Sequence, residues 1–258
     1  MREKKGSWFY QFLKWLVRLL YPRMEVVGAE QLPEDAAVIV GNHTQMNGPI
    51  ACELYFPRER YTWCAGEMMR LKEVPGYAYR DFWSFKPKAV RWFYRLLSYL
   101  IAPLSVCVFN NANTIPVYRD TRIIRTFRES LARLQEGASL VIFPEYNRKY
   151  NNILYDFQDR FIDLARLYYK KTGQSLAFVP MYIAPSLKKM VLGKPIRFCA
   201  DNPIAEERQR ICGYLMEEIT ALACALPLHT VVPYRNVPKR DYPTNLPLEV
   251  YANEKTYG

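Results

Sequence analysis

The sequence contains only two histidines, His43 and His229, and its six cysteines include no C-x-x-C pair. A zinc site needs clustered Cys and His ligands, so no metal is expected. The widely spaced cysteines suit a reduced, cytosolic setting. Cys64 is read as a small buried hydrophobe rather than as an acyl-carrying nucleophile. Repeats, low-complexity tracts and flexible linkers are also absent, which leaves one folded body. A long apolar run is missing as well: Leu96 to Phe109 falls short of the ~20 residues that a spanning helix needs, and Pro103 interrupts it. A core helix running into a strand is expected there.

Acidic side chains are outnumbered, 25 against 36 lysines and arginines, for a net charge of +11. That excess calls for an anionic partner, and a phospholipid surface, a phosphorylated substrate and nucleic acid all qualify. The basic residues are dispersed and no nucleic-acid module is recognisable, so nucleic acid is not expected.

What is present begins with SWFYQFLKWLVRLLYP. Trp8, Phe12, Trp15 and Leu19 recur at helical steps beside Phe9, Leu16 and Leu20, while Gln11, Lys14 and Arg18 line the other face. The segment is too short and too charged to span a bilayer, and Lys14 and Arg18 break what would be the apolar stretch of a signal peptide. With Arg2, Lys4, Lys5 and Arg23 nearby, it reads as an interfacial helix on anionic lipid. Its alternative use is docking on the protein's own core.

Beyond it, short apolar runs alternate with helical patterns. Strands are expected near 24–27, 37–41, 61–65, 106–109, 139–143, 177–182 and 189–192. Helices are expected over Asp120 to Gln135, Ile153 to Lys171 and Pro203 to Leu226, the first two ending near Gly137 and Gly173. The expected fold class is α/β, a mixed, largely parallel sheet covered by helices and preceded by an amphipathic interfacial helix. The expected boundaries are 1–23 for that helix, 24–226 for the α/β domain and 227–258 for an irregular tail that wraps the surface or is partly disordered.

Three strand ends carry candidate chemistry. In VIVGNHTQMNGP the strand stops and His43 follows at once, ahead of a helix expected to start at Pro49. An imidazole placed there is a suitable general base, although a strand-end histidine also serves as a cap or packing group. Arg119 follows a short strand in NTIPVYRD, and Glu145 and Arg148 follow another in VIFPEYNRK. Guanidinium groups at such positions suit bidentate capture of a phosphate or carboxylate, and singly they also occur as solvated surface charges. His229 has no supporting constellation.

The ordered set GAEQLP, VIVGNH, IPVYR, FPEYNR, FVPMYI and LGKPI, from about Gly28 to Ile196, resembles the glycerol-3-phosphate and lysophosphatidate acyltransferase family. The resemblance implies an acyltransferase of phospholipid biosynthesis, peripheral or monotopic on the cytoplasmic face of a membrane. It would move a fatty acyl chain from acyl-CoA or acyl-carrier protein, with no bound cofactor, to the hydroxyl of a lysophospholipid-like acceptor. The family's N-H-x-x-x-x-D pattern puts its histidine on His43 and its aspartate on Gly48. Its F-P-E-G-T-R pattern keeps Glu145 and Arg148 but substitutes Tyr146 and Asn147, and the glycine expected before Arg119 is replaced by Asn113. By the same resemblance His43 deprotonates the hydroxyl, Arg119 and Arg148 hold the acceptor's phosphate, and Glu145 positions its glycerol part. Gly48 cannot orient an imidazole. Asn47, one residue away, is the expected substitute for orientation, and Glu145 for charge. The alternative reading is a catalytically silent homologue that binds phospholipid or acyl groups.

Overall fold

The computed structural model describes residues 7–84 and 86–251. In chain order the elements are α1 (Trp8–Leu20), β1 (Glu25–Val27), β2 (Ala37–Gly41), α2 (Asn47–Tyr55), β3 (Arg60–Ala65), α3 (Val74–Ala78), α4 (Arg91–Leu100), α5 (Ala102–Asn111) and β4 (Thr114–Val117). Then come α6 (Ile123–Gln135), β5 (Ser139–Ile142), β6 (Glu145–Lys149), β7 (Tyr155–Phe157), α7 (Asp163–Thr172), β8 (Ala177–Ala184), β9 (Lys189–Leu192), β10 (Ile196–Arg197) and α8 (Ile204–Cys224). The chain forms two compact units, each assembled from two stretches of sequence. One contains residues 7–22 and 60–132, the other 23–59 and 133–251.

The second unit is built on a mixed, largely parallel sheet. Its β2 runs parallel to both β5 and β8, β1 runs parallel to β9, and β8 is antiparallel to β9 and β10. Every residue of β2, β5 and β8 is buried, as expected for continuous apolar strands covered on both faces. The register Val38↔Leu140 and Val38↔Phe178 centres this core on β2. From α8, Ile211, Leu215, Ile219 and Ala223 are buried, and the last two join Ile153, Leu154 and Tyr182 in one cluster. This α/β architecture is the one expected.

In the first unit, β3 pairs parallel with β4, and Met68, Val74, Ala78 and Ala102 form a small core. Ser7 caps α1 by accepting from the Tyr10 N–H, while its own N–H donates to the Asn111 side chain on α5. Tyr10 is buried, and most of the remaining apolar side chains of α1 are exposed, Trp8 at 81%. Arg2, Lys4 and Lys5 lie outside the described residues. No single helix among those described is long and apolar enough to cross a membrane.

Two expectations fail locally. The strand expected at 106–109 is helical, part of α5, and the strand forms at β4 instead. Pro103 sits in the first turn of α5, where a missing N–H costs nothing, and an apolar run alone does not distinguish a buried strand from a helix. The helix expected over 153–171 begins only at Asp163. Asn151 accepts from the N–H groups of Ile153 and Leu154, so a local turn outcompetes the helix and feeds β7. The helix-terminating glycines behave as expected: Gly137 and Gly173 have positive φ.

The chain from 227 to 251 is irregular but pinned. Asn245, fully buried, donates to the carbonyls of Ala223 and Leu226 and accepts from the His229 N–H, and Asn152 donates to the Thr244 carbonyl.

Candidate active site

The core strand β2 delivers Asn42 and His43 at its carboxyl end. Asn42 is buried and acts as a short substitute strand: its amide donates to the Ile183 carbonyl at 3.0 Å and its oxygen accepts from the Ile183 N–H at 2.7 Å. That clamp ties the strand end to β8. The two residues after His43, Thr44 and Gln45, both have positive φ, 46° and 56°. For the β-branched Thr44 this is a strained conformation, held because α2 starts at once behind it. The helix begins at Asn47 rather than Pro49, with the Gly48 N–H donating to the His43 carbonyl at 3.2 Å.

Glu145 comes to the same point from the start of β6. Its carboxylate is buried and accepts from the His43 N–H at 2.6 Å and the Tyr155 N–H at 2.9 Å. Burial pushes its pKa up to about 7, against the pull of those two N–H groups. Its hold is on the backbone of His43. The imidazole itself packs edge-on against Phe143 and Tyr234, at 5.4 and 5.7 Å between ring centres. Burial lowers the His43 pKa to about 4, against a weaker backbone contact with Gln45, so the ring is neutral at physiological pH. Its Nδ1 is buried and has no hydrogen-bond partner among the described residues, and the Thr44 hydroxyl is in the same condition.

Gly48 has a steric explanation. A Cβ there would lie 2.6 Å from the His43 carbonyl oxygen and 2.9 Å from Cε1 of Phe143. An aspartate does not fit this backbone without movement. The Asn47 side chain donates to the Thr44 carbonyl at 3.0 Å, which braces the strained turn.

The structure therefore brings His43, Asn47, Gly48 and Glu145 together in the second unit. Arg148, exposed on β6, pairs with Asp156 of β7 at 2.6 Å. Tyr146 is exposed, and Asn147 accepts a long 3.5 Å hydrogen bond from Arg235. Arg119 belongs to the first unit and is exposed just beyond β4. Its neighbour Arg122 is committed locally: it pairs with Asp120 and Glu73 and lies 3.8 Å from the centre of the Tyr118 ring.

Tyr155 and Tyr234 were not among the residues expected to shape the site, and Asn42 and Phe143 belong to the motifs that mark it without a role of their own having been expected. A buried polar residue closing an apolar strand was a usable signal for Asn42. Nothing local marks Tyr234, which the 227–251 segment brings in. That segment also reaches Gln45, which donates to the Tyr242 hydroxyl at 3.0 Å and to the Arg235 carbonyl at 3.3 Å. His229 is buried, with Nε2 2.8 Å from the Tyr182 hydroxyl and Nδ1 2.8 Å from the Pro227 carbonyl. Burial raises the Cys64 pKa to about 12, with a lesser opposing contribution from Thr114, so it stays a thiol near neutral pH.

No protein-family model matches the sequence, and no curated protein matches it either. Among solved structures, the chain is similar to the crystal structure of the 1-acyl-sn-glycerophosphate (LPA) acyltransferase PlsC from Thermotoga maritima, with 18% identity, a TM-score of 0.44, and coverage of 82% of this chain and 78% of that one.

Proposed function

We propose that the protein is an O-acyltransferase that moves a fatty acyl chain from acyl-CoA or acyl-carrier protein to the hydroxyl of a lysophospholipid-type acceptor at the cytoplasmic face of a membrane. The observation that carries this reading is the Glu145 carboxylate on the backbone N–H of His43. It joins the N-H and F-P-E segments, on which the family resemblance rests most heavily, around one neutral imidazole.

In this reading His43 takes the proton from the acceptor hydroxyl as its oxygen bonds to the thioester carbonyl carbon. The tetrahedral oxyanion then collapses, the C–S bond breaks, and the imidazolium returns its proton to the leaving thiolate. Glu145 is a positioning residue, since it holds the His43 backbone. Arg148, on β6 in the same unit as His43, supplies a cation for the acceptor's phosphate. With no carboxylate among the described residues on Nδ1, the imidazolium lacks a stabilising charge, and loss of the equivalent group in a serine protease costs about 10⁴ in turnover. Slow turnover is expected.

A second reading, a silent homologue that binds phospholipid or acyl groups, is favoured by one observation: Gly48 has no room for the missing aspartate, and the buried Nδ1 has no partner among the described residues. Labelled acyl-CoA or acyl-carrier protein, offered to the purified chain with a panel of lysophospholipids, separates the two. Transfer that disappears in His43→Ala supports the enzyme. Transfer that survives that substitution overturns the assigned base, and lipid binding without transfer establishes the silent homologue.

A further inference from the structure

The helix α4 carries its amphipathicity inside out. Trp92, Phe93, Leu96, Tyr99 and Leu100 follow helical spacing and all point outward, with Trp92 at 68% and Leu100 at 67% exposure. The polar Ser98, by contrast, is buried, its hydroxyl donating to the Arg95 carbonyl at 2.6 Å. A soluble surface helix turns its apolar stripe toward the core. Here that stripe is a contiguous exposed patch, the mark of an interaction surface.

The neighbouring chain holds α4 firmly in this pose. It is followed directly by α5, bent from it by 42°. That second helix is tied to the body, Ser105 donating to the Met68 carbonyl at 2.9 Å and Ala102 being buried in the small core. At 10 residues α4 is about 15 Å long, half of a ~30 Å hydrocarbon core, so it is suited to lying in the interface rather than crossing it.

Charge selects the occupant. No aspartate or glutamate occurs between Asp81 and Asp120, while Lys86, Lys88, Arg91 and Arg95 all fall in that stretch. Lys86 and Arg95 sit over the rings of Tyr94 and Tyr79, at 5.6 and 5.2 Å. Against a second copy, such a face would set cations opposite cations. Against a bilayer, aromatic and leucine side chains enter the acyl boundary while the basic rim meets anionic headgroups.

We propose that the outward face of α4 is a lipid-docking element, separate from α1, that inserts into a bilayer containing anionic phospholipid. This rests on the membrane-surface part of the reading above and does not require acyl transfer. It is tested with the full chain and vesicles of phosphatidylcholine with or without phosphatidylglycerol. The triple variant Trp92→Ser, Leu96→Ser, Leu100→Ser should partition about a hundredfold more weakly into the anionic vesicles, with an unchanged melting curve because all three side chains are exposed. Quenching of tryptophan fluorescence by brominated lipid should fall in Trp92→Phe. Wild-type protein that does not bind would sink the membrane reading as a whole. Wild-type binding matched within twofold by the triple variant would overturn only the role of α4, as would a dimer seen by light scattering that the triple variant dissociates.

Discussion

The helices α8 and α4 solve opposite problems with the same material. In the second unit, α8 buries Ile211, Leu215, Ile219 and Ala223 against the sheet, all fully inaccessible. In the first unit, α4 carries an equally regular apolar stripe and leaves it outside. The difference teaches that periodicity states only that a helix has two faces. Which face is covered depends on what the rest of the chain brings to it.

The sharpest way to probe the packed side of that comparison is at the candidate site. Gly48→Asp should cost about 4 kcal/mol in urea denaturation, from overpacking plus desolvation of a new carboxylate, and should yield no gain in transfer. A stable variant with raised activity would show that the loop after β2 is pliable. Next, Leu215→Ala on α8 should cost about 3 kcal/mol, as a buried leucine lost from a core does.

A pH experiment tests the same packing through its buried charges. The Glu145 carboxyl is raised from 4.5 to about 7, so the folded state keeps a proton that the unfolded chain releases, and stability falls as pH rises through that window. The His43 ring is lowered from 6.5 to about 4, so stability rises as pH climbs from about 4 to 6.5. Each swing is worth about 3 kcal/mol, and in the wild type they largely offset one another. In His43→Gln the Glu145 swing stands alone, and stability should drop between pH 4.5 and 7. A flat profile there would mean that Glu145 is not buried as a proton-binding group.

The smallest effect belongs to the open side. Leu100→Ala on α4 should change stability by less than about 0.5 kcal/mol in the absence of lipid. A loss comparable to that of Leu215→Ala would erase the contrast between the two helices.

Much of this was legible in advance because it is local. The apolar runs of β2, β5 and β8 identify buried strands, the glycines at 137 and 173 end their helices, and His43 is placed at a strand end by the residues immediately before it. The misread stretches, at 106–109 and 153–162, are those where one composition suits two conformations: Pro103 is tolerated in the first turn of α5, and the Asn151 side chain holds the local turn that displaces the second helix.

From the sequence alone came the α/β class, the amphipathic pattern of α1, and the candidates His43, Glu145, Arg119 and Arg148. Only the tertiary structure decided that Glu145 grips the His43 backbone rather than its ring, that Phe143 and the His43 carbonyl leave Gly48 no space, that Tyr234 packs on the imidazole, and that α4 faces outward. The contacts that set Glu145 on His43, Phe143 against Gly48 and Tyr234 on the imidazole join residues far apart in the chain: 102 positions separate His43 from Glu145. Local propensity and spacing carry no record of them, because a hydrogen bond or a clash across that distance exists only once the intervening chain has folded and set the two groups side by side.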